Sequence, residues 1–220
     1  MSGDEPADAR ADRAPDEQRG YDADPRELSE RAMYRLLTGL VVPRPIAWVS
    51  TRAPDGGANV APHSYYNVVS SDPPVVHFTS VGVKDTLSNV RANGEFVINV
   101  VSADLLEAMN VTAADLPAGE NELAWAGLET APAATVSAPR VAAAKAHLEC
   151  TVRGVLSVGN GHMVLGDVGH VHVAGEVVDG GRVDQAALRA VGRLSGSGYT
   201  IVDDVVERAR PSWQDLRRPR

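Results

Sequence analysis

The sequence predicts a mainly β protein, a barrel of about six or seven strands accompanied by short helices. Three apolar runs of strand length lie at 46–51, 75–80 and 96–101, and turn-forming residues separate them. A segment of alternating polarity at 147–156 is followed by an Asn-Gly pair and a return strand at 163–174, which is typical of a β-hairpin. No βαβ rhythm is present, so a doubly wound parallel sheet is disfavoured.

The predicted strands differ in how their side chains are arranged. The run at 96–101 is almost continuously apolar, which indicates that both of its faces are buried. The segment 147–156 alternates instead, as a strand with two unlike faces does. Its apolar face carries Leu148, Cys150, Val152 and Leu156, and its polar face carries His147, Glu149, Thr151 and Arg153.

Helical patterns are few and short. The first is an amphipathic stretch at 28–38 that ends near Gly39. Three further helices are predicted from capping residues: one from Asp85-Thr86 to Asn93-Gly94, one at 104–109 after Ser102, and one at 185–190 after Asp184. Helices this short are expected to flank a β framework.

Composition limits the classes of function. The chain has 220 residues and a formal net charge of −8, which disfavours nucleic-acid and anionic-membrane partners. Its single cysteine, Cys150, excludes an internal disulfide and a zinc site built from cysteines. No apolar run has the length of a membrane-spanning helix, and the N-terminus lacks the apolar core of a secretory signal. The expected protein is soluble and cytoplasmic.

Negative charge is concentrated at the N-terminus. Residues 1–30 hold ten carboxylates and four arginines, so they carry −6 of the −8 and leave −2 to the other 190 residues. A segment with so few apolar side chains cannot offset its ordering entropy by burial. The sequence therefore predicts a disordered acidic tail at 1–27, one folded domain at 28–205 and a C-terminal extension at 206–220.

The common catalytic motifs are missing from the sequence. It has no Walker loop, no His-Glu-x-x-His pair and no Gly-x-Ser-x-Gly elbow, and Cys150 lies on an apolar strand face as a core residue does. His170 and His172 share one face of the return strand, as in metal-binding barrels, and His147 or Glu176 could supply a third ligand. The other reading is two imidazoles bonded to strand neighbours, because spacing fixes no third ligand.

One candidate binding segment precedes the 75–80 run. Residues 59–67 read Asn-Val-Ala-Pro-His-Ser-Tyr-Tyr-Asn, which we interpret as a Pro-containing bend between two strands. Such a bend can present backbone groups to the edge of a flat heterocycle and an aromatic ring to its face.

A second candidate segment, 80–86, follows the same run. It offers Ser80, Lys84 and Thr86 where a strand gives way to a helix, so a phosphate could bind to these groups and to the first N–H groups of the helix. A second reading has the same weight from composition alone: Asp85 and Thr86 cap the helix while Lys84 is solvated.

Short motifs follow one another from about residue 28 to residue 199. They are Pro-Arg-Pro-Ile-Ala-Trp-Val-Ser-Thr at 43–51, the segment 59–67, Asp-Pro-Pro at 72–74, Lys-Asp-Thr-Leu-Ser-Asn at 84–89, Gly-Glu-Phe-Val-Ile-Asn at 94–99, Glu-Asn-Glu at 120–122, Gly-Asp-Val at 166–168 and Gly-Arg-Leu at 192–194. In this order they resemble the flavin reductase-like proteins, which are FMN-binding split-barrel proteins, and in particular the branch that includes flavoredoxin. Each motif is short, but the ordered set is specific.

The resemblance implies a fold, a cofactor and an assembly. The fold is a split β-barrel of six strands in Greek-key order with short flanking helices, and the assembly is a homodimer with FMN near the subunit interface. His63 stands where the family often has Phe, so a polar contact to the flavin edge is the alternative to ring stacking there. The residues implied to bind FMN are Asn59, Ala61, His63, Ser64, Tyr65, Asn67, Ser80, Lys84, Asp85 and Thr86.

The activity that the resemblance implies is that of an NAD(P)H:flavin reductase. Hydride would pass from NAD(P)H to the flavin N5, so no catalytic side chain is predicted. Arg193 matches a family position near the cofactor and is the expected substrate contact. A monooxygenase that uses the reduced flavin would be a partner.

Three alternatives stay open at this point. The first keeps FMN but makes the chain an electron carrier reduced by a protein partner. The second is a metal-dependent, cupin-like barrel that uses His170 and His172. The third is a binding module without a cofactor.

Overall fold

The computed structural model describes residues 22–117 and 120–217. The predicted tail up to residue 21 lies outside this part of the chain, and Pro25–Glu27 forms one 3-10 turn. The strands are β1 (Arg44–Pro45), β2 (Ala47–Arg52), β3 (Ala58–His63), β4 (Tyr66–Ser71), β5 (Pro74–Val81), β6 (Glu95–Val100), β7 (Thr130–Ala131), β8 (Arg140–Val141), β9 (Ala146–Val158), β10 (Gly161–Val173), β11 (Val178–Asp179), β12 (Arg182–Val183), β13 (Val191–Arg193) and β14 (Tyr199–Ile201). The helices are α1 (Glu30–Leu40), α2 (Asp85–Asn93), α3 (Leu106–Val111), α4 (Glu122–Trp125), α5 (Gln185–Leu188) and α6 (Trp213–Leu216).

Seven strands form one antiparallel sheet in the order β3-β2-β6-β9-β10-β5-β4. Its two edge strands, β3 and β4, are consecutive in the chain and only two residues connect them. The sheet therefore curls, and β3 comes into contact with β5 without a ladder of hydrogen bonds between them. This is a barrel that is split along one seam, and the predicted mainly β fold is confirmed.

The segment 59–67 differs from the predicted bend. Strands β3 and β4 take up all of it except Ser64 and Tyr65. Pro62 does not end β3, because β3 is an edge strand and a missing N–H on its outer side costs no ladder hydrogen bond. The polar residues that the sequence assigned to a loop are thus held on a strand beside the seam.

The long hairpin is confirmed, with β9 and β10 as its arms. The two residues between them are Gly159 and Asn160, and Gly159 has the positive φ of 57° that a tight turn requires. Farther along β10, a Cβ on Gly166 would lie 2.4 Å from Cζ of Phe96, so no side chain fits at this position. The absence of a side chain at Gly166 therefore leaves room for the Phe96 ring inside the barrel.

The polar face of β9 is only partly exposed. Thr151 and Arg153 lie at the surface, but His147 is 3% exposed and Glu149 is fully buried. Segment 132–141 covers this end of the strand, because the backbone N–H groups of Ala134 and others reach the Glu149 carboxylate. Strand alternation predicted the two faces but not the segment that lies over one of them.

Two apolar clusters hold the domain together. One fills the barrel with Ala47, Val49, Val76, Phe78, Leu87, Val90, Phe96, Ile98, Cys150 and Val164. The other packs the outer face of β2 and β3 against the short helices with Ile46, Trp48, Val60, Val101, Leu105, Met109, Leu123, Val141, Ala144 and Val191. Strands β2 and β6 are therefore buried on both faces, as the continuous apolar run at 96–101 predicts, and Cys150 is a core residue.

The helices lie close to their predicted positions, but of the three predicted N-caps only that of Asp184 forms its capping hydrogen bonds. Ser29 caps α1, and Asp184 caps α5, which ends early at Leu188 because Arg189 adopts a left-handed conformation with φ 48°. The helix predicted after Ser102 is wrong in detail: a 3-10 turn, Ala103–Leu105, precedes α3, and Ser102 makes no capping hydrogen bond. Among the helices of the described residues, none is both long and apolar enough to cross a membrane.

Candidate functional site

A cleft of about 480 Å³ opens at the seam of the barrel. Strand β3 and the connection to β4 form one wall, and the end of β5 with the start of α2 forms another. The segment after α3 and two helix residues complete it. The lining residues are Tyr34, Asn59, Ala61, Pro62, His63, Ser64, Tyr65, Thr79, Ser80, Val81, Lys84, Asp85, Thr86, Thr112, Ala113, Ala114, Asp115, Leu116 and Glu122.

Nine of the ten residues predicted to bind the cofactor line this cleft. The exception is Asn67, which lies on β4 with an exposed side chain whose Oδ1 accepts from the N–H of Val68. Arg193 also lies outside the cleft, where its guanidinium stacks on the Tyr199 ring at 4.3 Å and donates to the carbonyl of Gly196. The segments 59–67 and 80–86, which were predicted separately, thus contribute to one cavity. Asn67 and Arg193 do not line it.

The start of α2 forms one end of the cleft. Its N-cap position is Lys84, and no side chain makes a capping hydrogen bond there, so the reading in which Asp85 or Thr86 caps the helix is wrong. The Thr86 hydroxyl is buried and donates to Asn59 Oδ1 at 3.2 Å. The N-cap side chain accepts from none of the first N–H groups of α2, and Lys84 itself is exposed and lines the cleft. This arrangement suits a phosphate.

Buried polar groups connect this end of the cleft to β3. Asn59 accepts from Thr86 and from Thr51 at 3.4 Å, and its Nδ2 donates to Glu122 Oε1 at 3.1 Å. The Ser80 hydroxyl is fully buried and donates to the carbonyl of Gly82. These bonds hold the polar side chains at this end of the cleft in place.

His63 occupies the middle of the cleft. Its ring packs on Phe78 at a centroid distance of 4.8 Å, and its buried Nε2 has no hydrogen-bond partner among the described residues. Burial, together with the nearby positive charge of Lys84, lowers the pKa of His63 from 6.5 to about 4. The imidazole is therefore neutral near pH 7 and offers an unpaired polar atom in the wall of the cavity.

The other end of the cleft is formed by Ser64 and Tyr65. Ser64 Oγ accepts a long hydrogen bond of 3.4 Å from Nε of the buried Arg44. Burial and the neighbouring Tyr34 raise the pKa of the Tyr65 phenol, while Arg44 opposes this rise. Two polar side chains at this end thus lie under the influence of one guanidinium.

Sequence reasoning missed the residues that reach the cleft from outside the two segments. Tyr34 comes from α1, Glu122 from α4, and a run at 112–116 follows α3. That run is anchored to the core because Nε1 of Trp48 donates to Oγ1 of Thr112 at 2.9 Å. The sequence offered one indication of this contact, because a buried tryptophan usually needs an acceptor for its indole N–H. It does not show which residue is that acceptor.

Of the four residues considered for a metal site, Glu176 is exposed, and the three histidines have other neighbours. Nδ1 of His147 lies 3.1 Å from Nδ1 of His172, and Nε2 of His147 bonds to the carbonyl of Val141. Nδ1 of His170 lies 3.4 Å from Glu149 Oε1 instead. Within the described residues no group of three or more His, Cys, Asp or Glu is arranged to hold a metal ion.

Comparison with known proteins identifies the family. A model of the flavin reductase like domain matches residues 39–188. An uncharacterised protein of Halalkalibacterium halodurans is 39% identical over 205 residues, which cover 88% of this chain and 98% of that protein.

Two solved structures are similar over nearly their whole length. Nitrilotriacetate monooxygenase component B from Bacillus cereus superposes with a TM-score of 0.82 at 32% identity, covering 86% of this chain and 98% of that one. The 2-nitrobenzoate 2-nitroreductase of Pseudomonas fluorescens superposes with a TM-score of 0.82 at 29% identity, covering 88% and 98%. These matches agree with the motifs and with the split barrel, and the chain belongs to the flavin reductase-like family.

Proposed function

We propose that this protein is an FMN-binding oxidoreductase, of the NAD(P)H:flavin reductase type, and that FMN binds in the cleft at the seam. The observation that carries the proposal is the pairing of two unlike ends in one cavity. The uncapped start of α2 with Lys84 suits a phosphate, and the wall from Ala61 to Tyr65 suits a flat, polar-edged ring.

The donor set fits FMN in charge and in shape. The phosphate is a dianion near neutral pH, and Lys84 with the helix N–H groups supplies a compact set of donors for it. His63 Nε2 is a buried polar atom that lacks a protein partner, which a ligand in the cleft could satisfy. A volume of about 480 Å³ lies within the range of small-molecule sites.

Each part of the cleft has a separate task in this proposal. Bound FMN would supply the hydride chemistry, so the protein needs to position and polarise it. Lys84 and the start of α2 would hold the phosphate, Ser80 and Thr86 would keep that end rigid through their own hydrogen bonds, and Ser64 would donate to the ring. Asn67 and Arg193 lie outside the cleft and are not part of this proposal.

The similar proteins support a proposal for what the reduced flavin does next. One is named as component B of a monooxygenase, and at 32% identity it favours delivery of reduced flavin to a partner monooxygenase. The other is named for the reduction of a nitro group, which favours direct reduction of an organic acceptor. Both need a reductant, for which we propose NADH or NADPH in the open part of the cleft.

The first test is titration of the purified protein with FMN, followed by flavin fluorescence. We expect saturable quenching with one site per chain and an oxidised-flavin spectrum with bands near ~370 and ~450 nm for the bound form. The matched control is riboflavin, which lacks the phosphate. If riboflavin binds as tightly as FMN, the assignment of the α2 end to a phosphate is wrong.

The second test separates a reductase from an electron carrier. Oxidation of NADH and of NADPH is followed at steady state with free FMN present and absent. Turnover with either nicotinamide supports a reductase. No turnover, together with tight FMN binding, favours an FMN electron carrier that a protein partner reduces.

We further propose that the protein is a cytoplasmic homodimer. Edge strand β4 carries the exposed Val68 and Val69, 65% and 52% accessible, beside the unpaired outer edge of the sheet. A second copy would cover apolar surface that a lone barrel leaves in water. Light scattering after size-exclusion chromatography gives the mass, and a monomer at micromolar concentration would contradict the proposal.

A further inference from the structure

A buried positive charge lies behind one end of the cleft. Arg44 is only 6% exposed. Its Nη1 donates to the carbonyls of Thr38 at 2.6 Å and Val41 at 2.8 Å, and its Nη2 donates to the carbonyl of Leu194 at 2.9 Å. Its Nε donates to Oγ of Ser64 at 3.4 Å. Four of its five N–H groups are therefore used, and every acceptor is neutral.

A charge in such a place is costly unless something balances it. Burial of a guanidinium is normally accompanied by a carboxylate or by a bound anion. Among the described residues no Asp or Glu forms a salt bridge with Arg44, although Asp24, Glu149, Asp167 and Asp203 pair with other cations. The structure thus holds a positive charge beside the cleft without a negative partner from this part of the chain.

Among the described residues of the cleft wall, Ser64 alone forms a hydrogen bond with Arg44. Its oxygen accepts from the guanidinium, and among the described residues it has no assigned acceptor for its own O–H. A hydroxyl that accepts from a cation becomes a stronger donor, because the two hydrogen bonds polarise each other. Arg44 therefore prepares Ser64 to donate to an electron-rich atom in the cleft.

We propose that Arg44 is a positioning residue that acts through Ser64 to stabilise the reduced, more negatively charged form of FMN over the oxidised form. This inference rests on the proposed function. Because the added charge is balanced by a fixed guanidinium, the midpoint potential of bound FMN is higher than it would be in a cleft with no such charge. The same guanidinium joins α1, β1 and the segment after β13 to the cleft wall, so its position is fixed by three elements.

The test is the midpoint potential of FMN bound to the full chain, measured by redox titration against a reference dye. Ser64→Ala removes the hydroxyl that links Arg44 to the cleft, and it leaves the three hydrogen bonds from Arg44 to backbone carbonyls in place. We expect the preference for reduced over oxidised FMN to fall about tenfold, which is about 30 mV for a two-electron couple. Ser64→Thr retains the hydroxyl and is expected to keep the wild-type potential.

Arg44→Gln and the double variant test whether the two residues act as one unit. We expect Arg44→Gln to lower the potential by at least as much as Ser64→Ala, and the double variant to fall no further than Arg44→Gln alone. If Arg44→Gln does not fold, Arg44→Lys replaces it, because Lys keeps the charge and should retain most of the potential. An unchanged potential in Ser64→Ala, or additive losses in the double variant, would overturn the inference.

Lys84→Ala separates this inference from the proposed function. A lost phosphate contact weakens the oxidised and reduced forms equally, so FMN affinity falls while the potential is unchanged. If wild-type protein does not bind FMN at all, the proposed function fails. If wild type and Lys84→Ala behave as described but Ser64→Ala has no effect on the potential, only the role of Arg44 fails.

Discussion

The cleft and the buried carboxylate of Glu149 differ in whether their polar groups have hydrogen-bond partners within the protein. Glu149 is fully buried, and the protein satisfies it with N–H groups of Ala134 and Thr135 and with the Thr135 hydroxyl, at 2.7 to 3.0 Å. The cleft instead retains an unpaired imidazole nitrogen at His63 and an uncapped helix start at Lys84. The polar groups around Glu149 are satisfied within the described residues, whereas the cleft keeps polar groups without partners there, which the proposed FMN would contact.

The pKa values of the two groups show the same difference. Burial alone would raise the pKa of Glu149, yet the surrounding donors lower it below its usual value. Burial and the charge of Lys84 lower the pKa of His63, and a backbone hydrogen bond with Thr79 opposes this without restoring the usual value. A buried group whose partners are all supplied by the fold indicates architecture, whereas one left without partners in a cavity indicates a site.

The largest expected effect is on acid stability and comes from His63. Its pKa of about 4 in the folded state lies below the unfolded value of 6.5, so the unfolded chain takes up a proton first as the pH falls. Stability from this group is complete above about pH 6.5 and declines by about 3 kcal/mol towards pH 4. Urea unfolding of His63→Phe should show a correspondingly smaller loss between pH 7 and pH 4. An equal loss in both proteins would show that His63 is not the group that titrates.

The next effect concerns Lys84. Lys84→Ala should weaken FMN binding by about 1–3 kcal/mol, or about 5- to 150-fold, because a charge-assisted contact to the phosphate is lost. The chain has one other lysine, Lys145, which lies outside the cleft, so Lys145→Ala is the matched control. Fluorescence titration measures both. If the two variants bind FMN with equal affinity, Lys84 does not contact the phosphate, and the proposed site in the cleft is wrong.

Glu149→Gln tests the buried carboxylate whose partners the fold supplies. The new amide would place N–H groups against the backbone N–H donors, so we expect a loss of about 1–3 kcal/mol in the free energy of unfolding at pH 7. FMN affinity should be unchanged. Because the folded pKa of Glu149 is lowered, its contribution is present above the ordinary carboxyl range and lost as the pH falls, so the variant and wild type should converge in acid. The exposed Glu207→Gln is the control for loss of charge.

The smallest effect is expected for Asn67. The motif resemblance placed it with the cofactor, but its side chain is exposed on β4 and bonds to Val68. Asn67→Ala should change FMN affinity by less than about twofold, as for most surface substitutions. A larger loss in the same fluorescence titration would mean that the site extends over the seam to β4.

The sequence predicted the strands and the long hairpin well because both have local signals. Apolar runs predict the strands, and the Asn-Gly pair at 160–161 predicts the hairpin, although the two connecting residues are Gly159 and Asn160. The strand-to-helix connection with Lys84 is a local signal for the phosphate site that we propose. What it missed depends on contacts between distant residues. Segment 132–141 over Glu149, and the run at 112–116 over the cleft, are positioned by tertiary packing, which leaves no periodic pattern.

The bond from Trp48 to Thr112 gives the molecule an internal optical reporter. Trp48 is fully buried and its partner lines the cleft, whereas Trp125 and Trp213 are 63% and 71% exposed. Emission from the buried indole should lie at shorter wavelength and resist iodide, so it can be read apart from the other two. Since a flavin absorbs in that emission range, occupancy of the cleft could be followed through energy transfer from Trp48, with no added label.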